Sequence, residues 1–174
     1  MSISPVSGLQ AASIIVDPVA GKGNYTTIQA AINAASSGQT ILIKPGTYTE
    51  ALTLKAGVNL TAFPCDSVYA LAAFPHNVVI IGKMTATYTG TVSISCLGLQ
   101  TNGDYLIEST GSNAANLFVK DCDLNCINFS GIHNTNNSFG SIFSDCTADL
   151  GTTGISCFVY TGGTIYFYIM CFNK

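Results

Sequence analysis

Four cysteines, Cys96, Cys122, Cys146 and Cys171, recur along the second half of this chain at a near-constant interval (122 − 96 = 26, 146 − 122 = 24, 171 − 146 = 25). A steady period of that length marks stacked structural units, because zinc sites and small disulfide frameworks space their cysteines differently. Each cysteine ends or follows a β-rich run: Thr91-Val-Ser-Ile-Ser-Cys96, Asn116-Leu-Phe-Val-Lys-Asp-Cys122, Gly140-Ser-Ile-Phe-Ser-Asp-Cys146 and Thr164-Ile-Tyr-Phe-Tyr-Ile-Met-Cys171. Stretches of Gly, Asn, Ser and Thr, such as residues 111–114 and 133–138, separate the runs as turns. Strand, turn, strand and turn in about 25 residues is one coil of a parallel β-helix. The expected fold is therefore all-β: a single-stranded parallel β-helix forming one domain over 1–174, with its clearest repeat over 91–174.

Stacking also accounts for the composition. Coils about 4.8 Å apart align equivalent positions in rows along the axis, and like charges in one row repel. Only 9% of the residues are charged, 48% are hydrophobic and 17 are glycine. Cys96, Cys122, Cys146 and Cys171 are expected to form one inward row of small apolar side chains, reduced rather than disulfide-linked, although neighbouring rungs approach disulfide range. The pair Cys122-x3-Cys126 has no second pair at ligand spacing, so core packing is expected, with no metal and no cofactor.

The six basic residues are all lysines, Lys22, Lys44, Lys55, Lys83, Lys120 and Lys174, and the formal charge is −3. Without arginine or a basic cluster, nucleic acid and other polyanions are poor partners. No apolar run reaches the roughly 18 residues of a spanning helix, so no membrane span is expected. Residues 1–5 lack the basic start and apolar stretch of a secretory leader, so no signal peptide is readable.

Between residues 24 and 38 the pattern changes to a helical one. Ile28, Ala31, Ile32 and Ala35 share one face, Thr26 or Thr27 can act as N-cap, and Gly38 can end the helix. Such a helix is expected to cover the open N-terminal end of the coils, whose sheet edges would otherwise invite aggregation. The order Asn24-Tyr-Thr-Thr-Ile-Gln-Ala-Ala-Ile-Asn-Ala-Ala35, Ile41-Leu-Ile-Lys-Pro-Gly-Thr-Tyr-Thr-Glu50 and Val58-Asn-Leu60 resembles the opening of pectinesterase-like proteins of the pectin-lyase-like superfamily. The resemblance covers about residues 13–63 and implies a right-handed parallel β-helix. Similar openings occur on phage or virus fibre and tailspike-type proteins and on bacterial surface proteins. The motifs resembling Gln-Asp-Thr-Leu and Asp-Phe-Ile-Phe-Gly that carry pectinesterase chemistry are missing from this chain, as is the arginine, so no catalytic residue is assigned.

Few side chains remain as candidates for chemistry. Asp121 and Asp145, one period apart (145 − 121 = 24), are expected to stack at one corner, either as backbone-capping aspartates or as a weak acid pair that could meet a carbohydrate. His76 and His133 are expected to be solvated loop residues. Tyr160, Tyr166, Phe167, Tyr168 and Phe172 crowd the end of the chain, and residues 164–172 carry no charge. That aromatic surplus is expected to form an interface. The expected function is a non-enzymatic structural subunit that self-associates, as a trimer or stacked filament, into an extracellular or virion-surface fibre or spike. The alternative is a carbohydrate-active or carbohydrate-binding pectinesterase-like module, with surface glycans as partners.

Overall fold

Every pairing between the described strands is parallel. The computed structural model describes residues 13–65, 76–101, 103, 105–125, 131–149, 158–160 and 162–173. In chain order the elements are β1 (Ile14–Val16), α1 (Ile28–Ala34), β2 (Thr40–Ile43), β3 (Gly46–Thr49), β4 (Leu52–Thr53), β5 (Asn59–Ala62), β6 (Val78–Ile81), β7 (Met84–Thr85) and β8 (Gly90–Ser95). They continue as β9 (Gly98–Gln100), β10 (Ile107–Ser109), β11 (Ala115–Lys120), β12 (Asp123–Asn125), β13 (Ile132–Asn134), β14 (Gly140–Asp149), β15 (Phe158–Tyr160) and β16 (Thr164–Asn173).

The strands form three faces. The first stacks β1, β2, β5, β8, β11, β14 and β16, and the second stacks β3, β6, β9, β12 and the later half of β14. Because β14 runs through both, these two faces join in one sheet, while β4, β7, β10, β13 and β15 make the third face. The chain returns to each face once per coil, which makes a parallel β-helix.

Alternation along each strand sends every second side chain inward. The first face aligns Ile41, Leu60, Ile94, Val119 and Phe143, all buried. The second aligns Tyr48, Ile80, Leu99, Leu124 and Ala148, and the third Leu52, Met84, Ile107 and Ile132. Burying one such large aliphatic side chain contributes about 1.5–3 kcal/mol, so these rows are the main source of cohesion between coils.

The helix is shorter than the 24–38 segment expected. Thr27 is the N-cap, its hydroxyl accepting from the Ala30 amide at 3.4 Å, and Ala35 rather than Gly38 is the C-cap. Ile28, Ala31 and Ile32 are buried, and the helix packs against β1, β2 and β4. Glu50, at the end of the Pro-Gly-Thr-Tyr-Thr-Glu motif, accepts from the Ile28 and Gln29 amides at 2.8 and 2.9 Å. A carboxylate there satisfies two first-turn donors that have no partner within the helix. Tyr48 in the same motif donates its hydroxyl to the Lys44 carbonyl at 2.9 Å.

The cysteines do not form the single row expected. Lys120 pairs in register with Ser95 and Ser144, so the residues that follow them, Cys96, Asp121 and Asp145, occupy one equivalent corner. All three are in the left-handed region, with φ of 59°, 49° and 55°. Cys96 therefore stands in the corner row of the two aspartates, and it forms a disulfide with Cys65 instead of packing as a free thiol. Leu97, Cys122 and Cys146 form the adjacent buried row. In the last coil Cys146 pairs with Met170 and Cys171 with Thr147; the Cys171 side chain lies outside the described residues.

Cys122 and Cys146 are buried free thiols. Burial is the main cause that raises both thiols, Cys146 from its usual 9.0 to about 12. Tyr48 likewise moves to about 12, through burial first and then through Asp17 and Glu50. Among the described residues no helix is long and apolar enough to cross a membrane.

Two outcomes follow from this packing. Glu50→Ala should lower unfolding free energy by about 1.5–3 kcal/mol, the usual scale for hydrogen bonds to a charged group, as read by urea denaturation. Alkaline pH should also destabilise the fold. The folded state holds protons on Cys146 and Tyr48 up to about 12 that the unfolded chain loses from about 9 to 10, so stability is full below pH 9 and falls towards pH 12. Melting curves between pH 8 and 12 would record the loss, with a shallower slope in Cys146→Ala.

Candidate functional site

The outer surface of the first face has three rows of side chains running along the helix axis. Thr91, Asn116, Gly140 and Thr164 form one, Ser93, Phe118, Ile142 and Tyr166 the next, and Ser95, Lys120 and Ser144 the third. The same alternation that buries Leu117 and Val119 turns Phe118 outward. Phe118 is 39% exposed and Tyr166 53%, two rungs apart with Ile142 between them. Given the spacing of stacked strands, the two rings lie about 9.6 Å apart along the axis.

A groove of about 270 Å³ runs beside this stripe. Its lining combines Phe118, Ile142 and Tyr166 with Asn116, Asn137 and Ser138, and among the described residues no charged side chain contributes to it. Gly140 gives the groove its depth: a Cβ there would lie 2.8 Å from the Asn116 Oδ1, so glycine lets that amide lie across the next coil. The Tyr88 hydroxyl donates to the Asn116 carbonyl at 3.0 Å, tying this strand to the coil before it. Burial pushes the Tyr88 hydroxyl well above the usual tyrosine range, so it stays a donor.

The Asn-rich turn that edges the groove builds itself from side-chain bonds. Asn134 Oδ1 accepts from the Asn136 amide at 3.0 Å, and Asn136 Oδ1 accepts from the Ser138 amide at 2.9 Å. Two consecutive bonds of this kind are Asx turns. Asn136 also donates to the Asn113 carbonyl at 2.7 Å, anchoring the turn to the previous coil, and Asn134 donates to the Gly162 carbonyl in the next. Asn134 and Asn136 are buried, and these bonds supply their partners.

A second recess, of about 210 Å³, opens on the second face between His76, Val79, Gly98, Leu99, Gln100, Asp123 and Asn125. His76 Nε2 lies 3.6 Å from Asp123 Oδ2, and the Thr147 hydroxyl donates to Asp123 Oδ1. On the third face Glu108 stands between Lys83, at 2.8 Å, and His133, at 3.3 Å, and His133 stacks on Tyr105 with centroids 4.3 Å apart. Both histidines are thus held by carboxylates and are not the solvated loop residues expected. Glu108 and His133 pair in register one coil apart (133 − 108 = 25), a spacing present in the sequence, whereas the in-register neighbour of Glu108 on β7 is Thr85 and Lys83 reaches Glu108 from outside that row. Phe118, Ile142 and Tyr166 repeat in the same way (142 − 118 = 24, 166 − 142 = 24).

Asp121 and Asp145 are one rung apart at the corner, as the repeat implies, and the Asp121 carboxylate lies 4.0 Å from Lys120 Nζ. Neither lines the aromatic groove or the recess. Of the expected aromatic interface, Tyr166 is exposed, whereas the side chains of Tyr160, Phe167, Tyr168 and Phe172 lie outside the described residues. The backbone register sets Tyr160 beside Asn134, Phe167 beside Phe143, Tyr168 beside Ser144 and Phe172 beside Ala148. Asn134, Phe143 and Ala148 are buried. Among the described residues no three His, Cys, Asp or Glu side chains converge as a metal site.

No protein-family profile matches the chain, and no curated protein matches its sequence. Among solved structures, its fold is similar to the crystal structure of a pectin methylesterase mutant in complex with a hexasaccharide, with a TM-score of 0.53 and 16% identity. The match covers 78% of this chain and 48% of that one, so the chain spans about half the length of that structure. At this identity the likeness is one of fold. It agrees with the parallel β-helix that the resemblance implies.

The Lys83–Glu108 pair on the third face provides a direct check of contact between successive coils. A double-mutant cycle on Lys83 and Glu108 should return a coupling of about 0.5–1 kcal/mol, the scale of partly exposed pairs. That coupling should shrink in 1 M salt, where charges are screened within about 3 Å.

Proposed function

We propose that this chain is a carbohydrate-binding β-helix module that holds a glycan on the outer surface of its first face. The observation that carries the reading is the stripe of Phe118, Ile142 and Tyr166 beside the amides of Asn116 and Asn137. A pyranose ring has an apolar face that stacks on aromatic rings and a rim of hydroxyls that pair with amides and hydroxyls, and this groove offers both kinds of group side by side. The fold likeness to a pectin methylesterase crystallised with a hexasaccharide supports the same reading. Recognition is proposed rather than turnover, since Asp121 and Asp145 stand outside the groove.

In this reading the coils wind in the right-handed sense that parallel crossovers nearly always adopt, and α1 closes the N-terminal end. The Cys65–Cys96 disulfide suits an extracellular, oxidising setting. Self-association into a fibre or spike draws no support from the comparisons. Of the five aromatic residues that motivated it, Tyr166 is exposed and the side chains of the other four lie outside the described residues.

Phe118→Ala and Tyr166→Ala should each weaken binding to an oligosaccharide about tenfold, because losing one ring's area and stacking costs roughly 1.5 kcal/mol. Isothermal titration against a panel of hexasaccharides reads this, with melting curves to show that each variant folds. Light scattering of the unmodified protein separates this reading from assembly: large particles that dissociate in Tyr166→Ala, with no glycan bound, would favour the self-associating subunit.

A further inference from the structure

The electrostatics of the groove and of its surroundings restrict its ligand further. Among the described residues no side chain lining it carries a charge. Three of the lysines are engaged elsewhere: Lys44 lies over the Phe63 ring at 4.3 Å, Lys55 donates to the Ala35 and Asn33 carbonyls at 2.6 and 3.2 Å, and Lys83 pairs with Glu108. Lys120, two residues beyond Phe118 on the same face, is the cation placed nearest along that strand. It lies 4.0 Å from Asp121, and the next coil repeats an acid at Asp145. An anionic sugar in the groove would thus lose water from its carboxylate without gaining a cation, in a chain whose net charge is already −3.

The rows also have a direction. Phe118, Ile142 and Tyr166 repeat along the axis at about 4.8 Å, each level with a member of the polar row, Asn116, Gly140 or Thr164. That interval is close to the advance of one sugar residue in an extended chain. A linear glycan laid parallel to the axis would present one ring per rung to the apolar row and its hydroxyl rim to the polar row. A ligand laid along one strand, perpendicular to the axis, would meet only one rung and gain nothing from the repeat.

We infer that the ligand of this groove is an uncharged, linear glycan running along the β-helix axis across about three coils. The inference rests on the carbohydrate-binding reading above and names its ligand class.

The test is titration of the intact protein with cellohexaose, mannohexaose, N-acetylchitohexaose and hexagalacturonate, each at 50 and 500 mM NaCl. At least one uncharged hexamer should bind ten times or more tighter than hexagalacturonate, with less than a twofold change between the two salt concentrations. Its affinity should rise from the monosaccharide to about the trisaccharide and then level off. Lys120→Ala should leave that affinity unchanged, while Phe118→Ala should remove most of it. Tighter binding of hexagalacturonate, weakened by salt and by Lys120→Ala, would overturn the inference and leave the carbohydrate-binding reading standing. Affinity that does not grow with chain length would overturn the axial placement. Binding of none of the four at millimolar concentration would overturn both.

Discussion

In-register stacking of successive coils is the constraint on which the other features depend. Each strand bonds through its backbone to the same strand of the coils before and after it, so equivalent positions align into rows about 4.8 Å apart. An inward position must then be apolar in every coil, as in the row Ile41, Leu60, Ile94, Val119 and Phe143. A polar residue can enter the interior only with its bonds provided, and Asn134 and Asn136 do so by donating to carbonyls of neighbouring coils.

The same rule that builds the core builds the surface. An outward row repeats a chemical type along the axis without any further device, as the aromatic and aliphatic row of the first face does. On the third face Glu108 pairs in register with His133 and is reached by Lys83 from the coil before, so the carboxylate meets nitrogen side chains rather than a like charge. The uncharged groove beside Phe118 follows from a neighbouring row in which Gly140 leaves room for the Asn116 amide. Binding surfaces of this kind are periodic, so they suit ligands that are themselves periodic.

At the N-terminal end the ties run through one helix. Glu50, from the strand-turn segment that follows the helix, holds the first-turn amides of α1, and Lys55 holds its last carbonyls. Both ends of the helix are therefore bound by side chains of the same segment, with the signs that the helix dipole favours. The conspicuous Tyr and Glu of the Pro-Gly-Thr-Tyr-Thr-Glu motif are thereby accounted for by structure alone.

Much was legible in the sequence: a period of one coil length, alternating strands, Asn and Gly turns, and an amphipathic helix capped at Thr26 or Thr27. Those features depend on backbone periodicity and local side-chain bonding, which a linear pattern records directly. The exact register was not legible, because a shift of one residue leaves the period nearly unchanged while moving a side chain to another row. Aligning Cys96 with Cys122 gives 122 − 96 = 26, whereas the pairing of Ser95 with Lys120 makes Asp121 the partner of Cys96, at 121 − 96 = 25. That single step moves Cys96 from a core row to a left-handed corner, where it reaches Cys65. Likewise, the meeting of His76 with Asp123, and of Phe118 and Tyr166 with the Asn-rich turn, depends on which coil lies beside which. Sequence periodicity determined that the chain stacks, and the tertiary structure decided which side chains meet, because hydrogen-bonded register rather than composition sets the neighbours along each row.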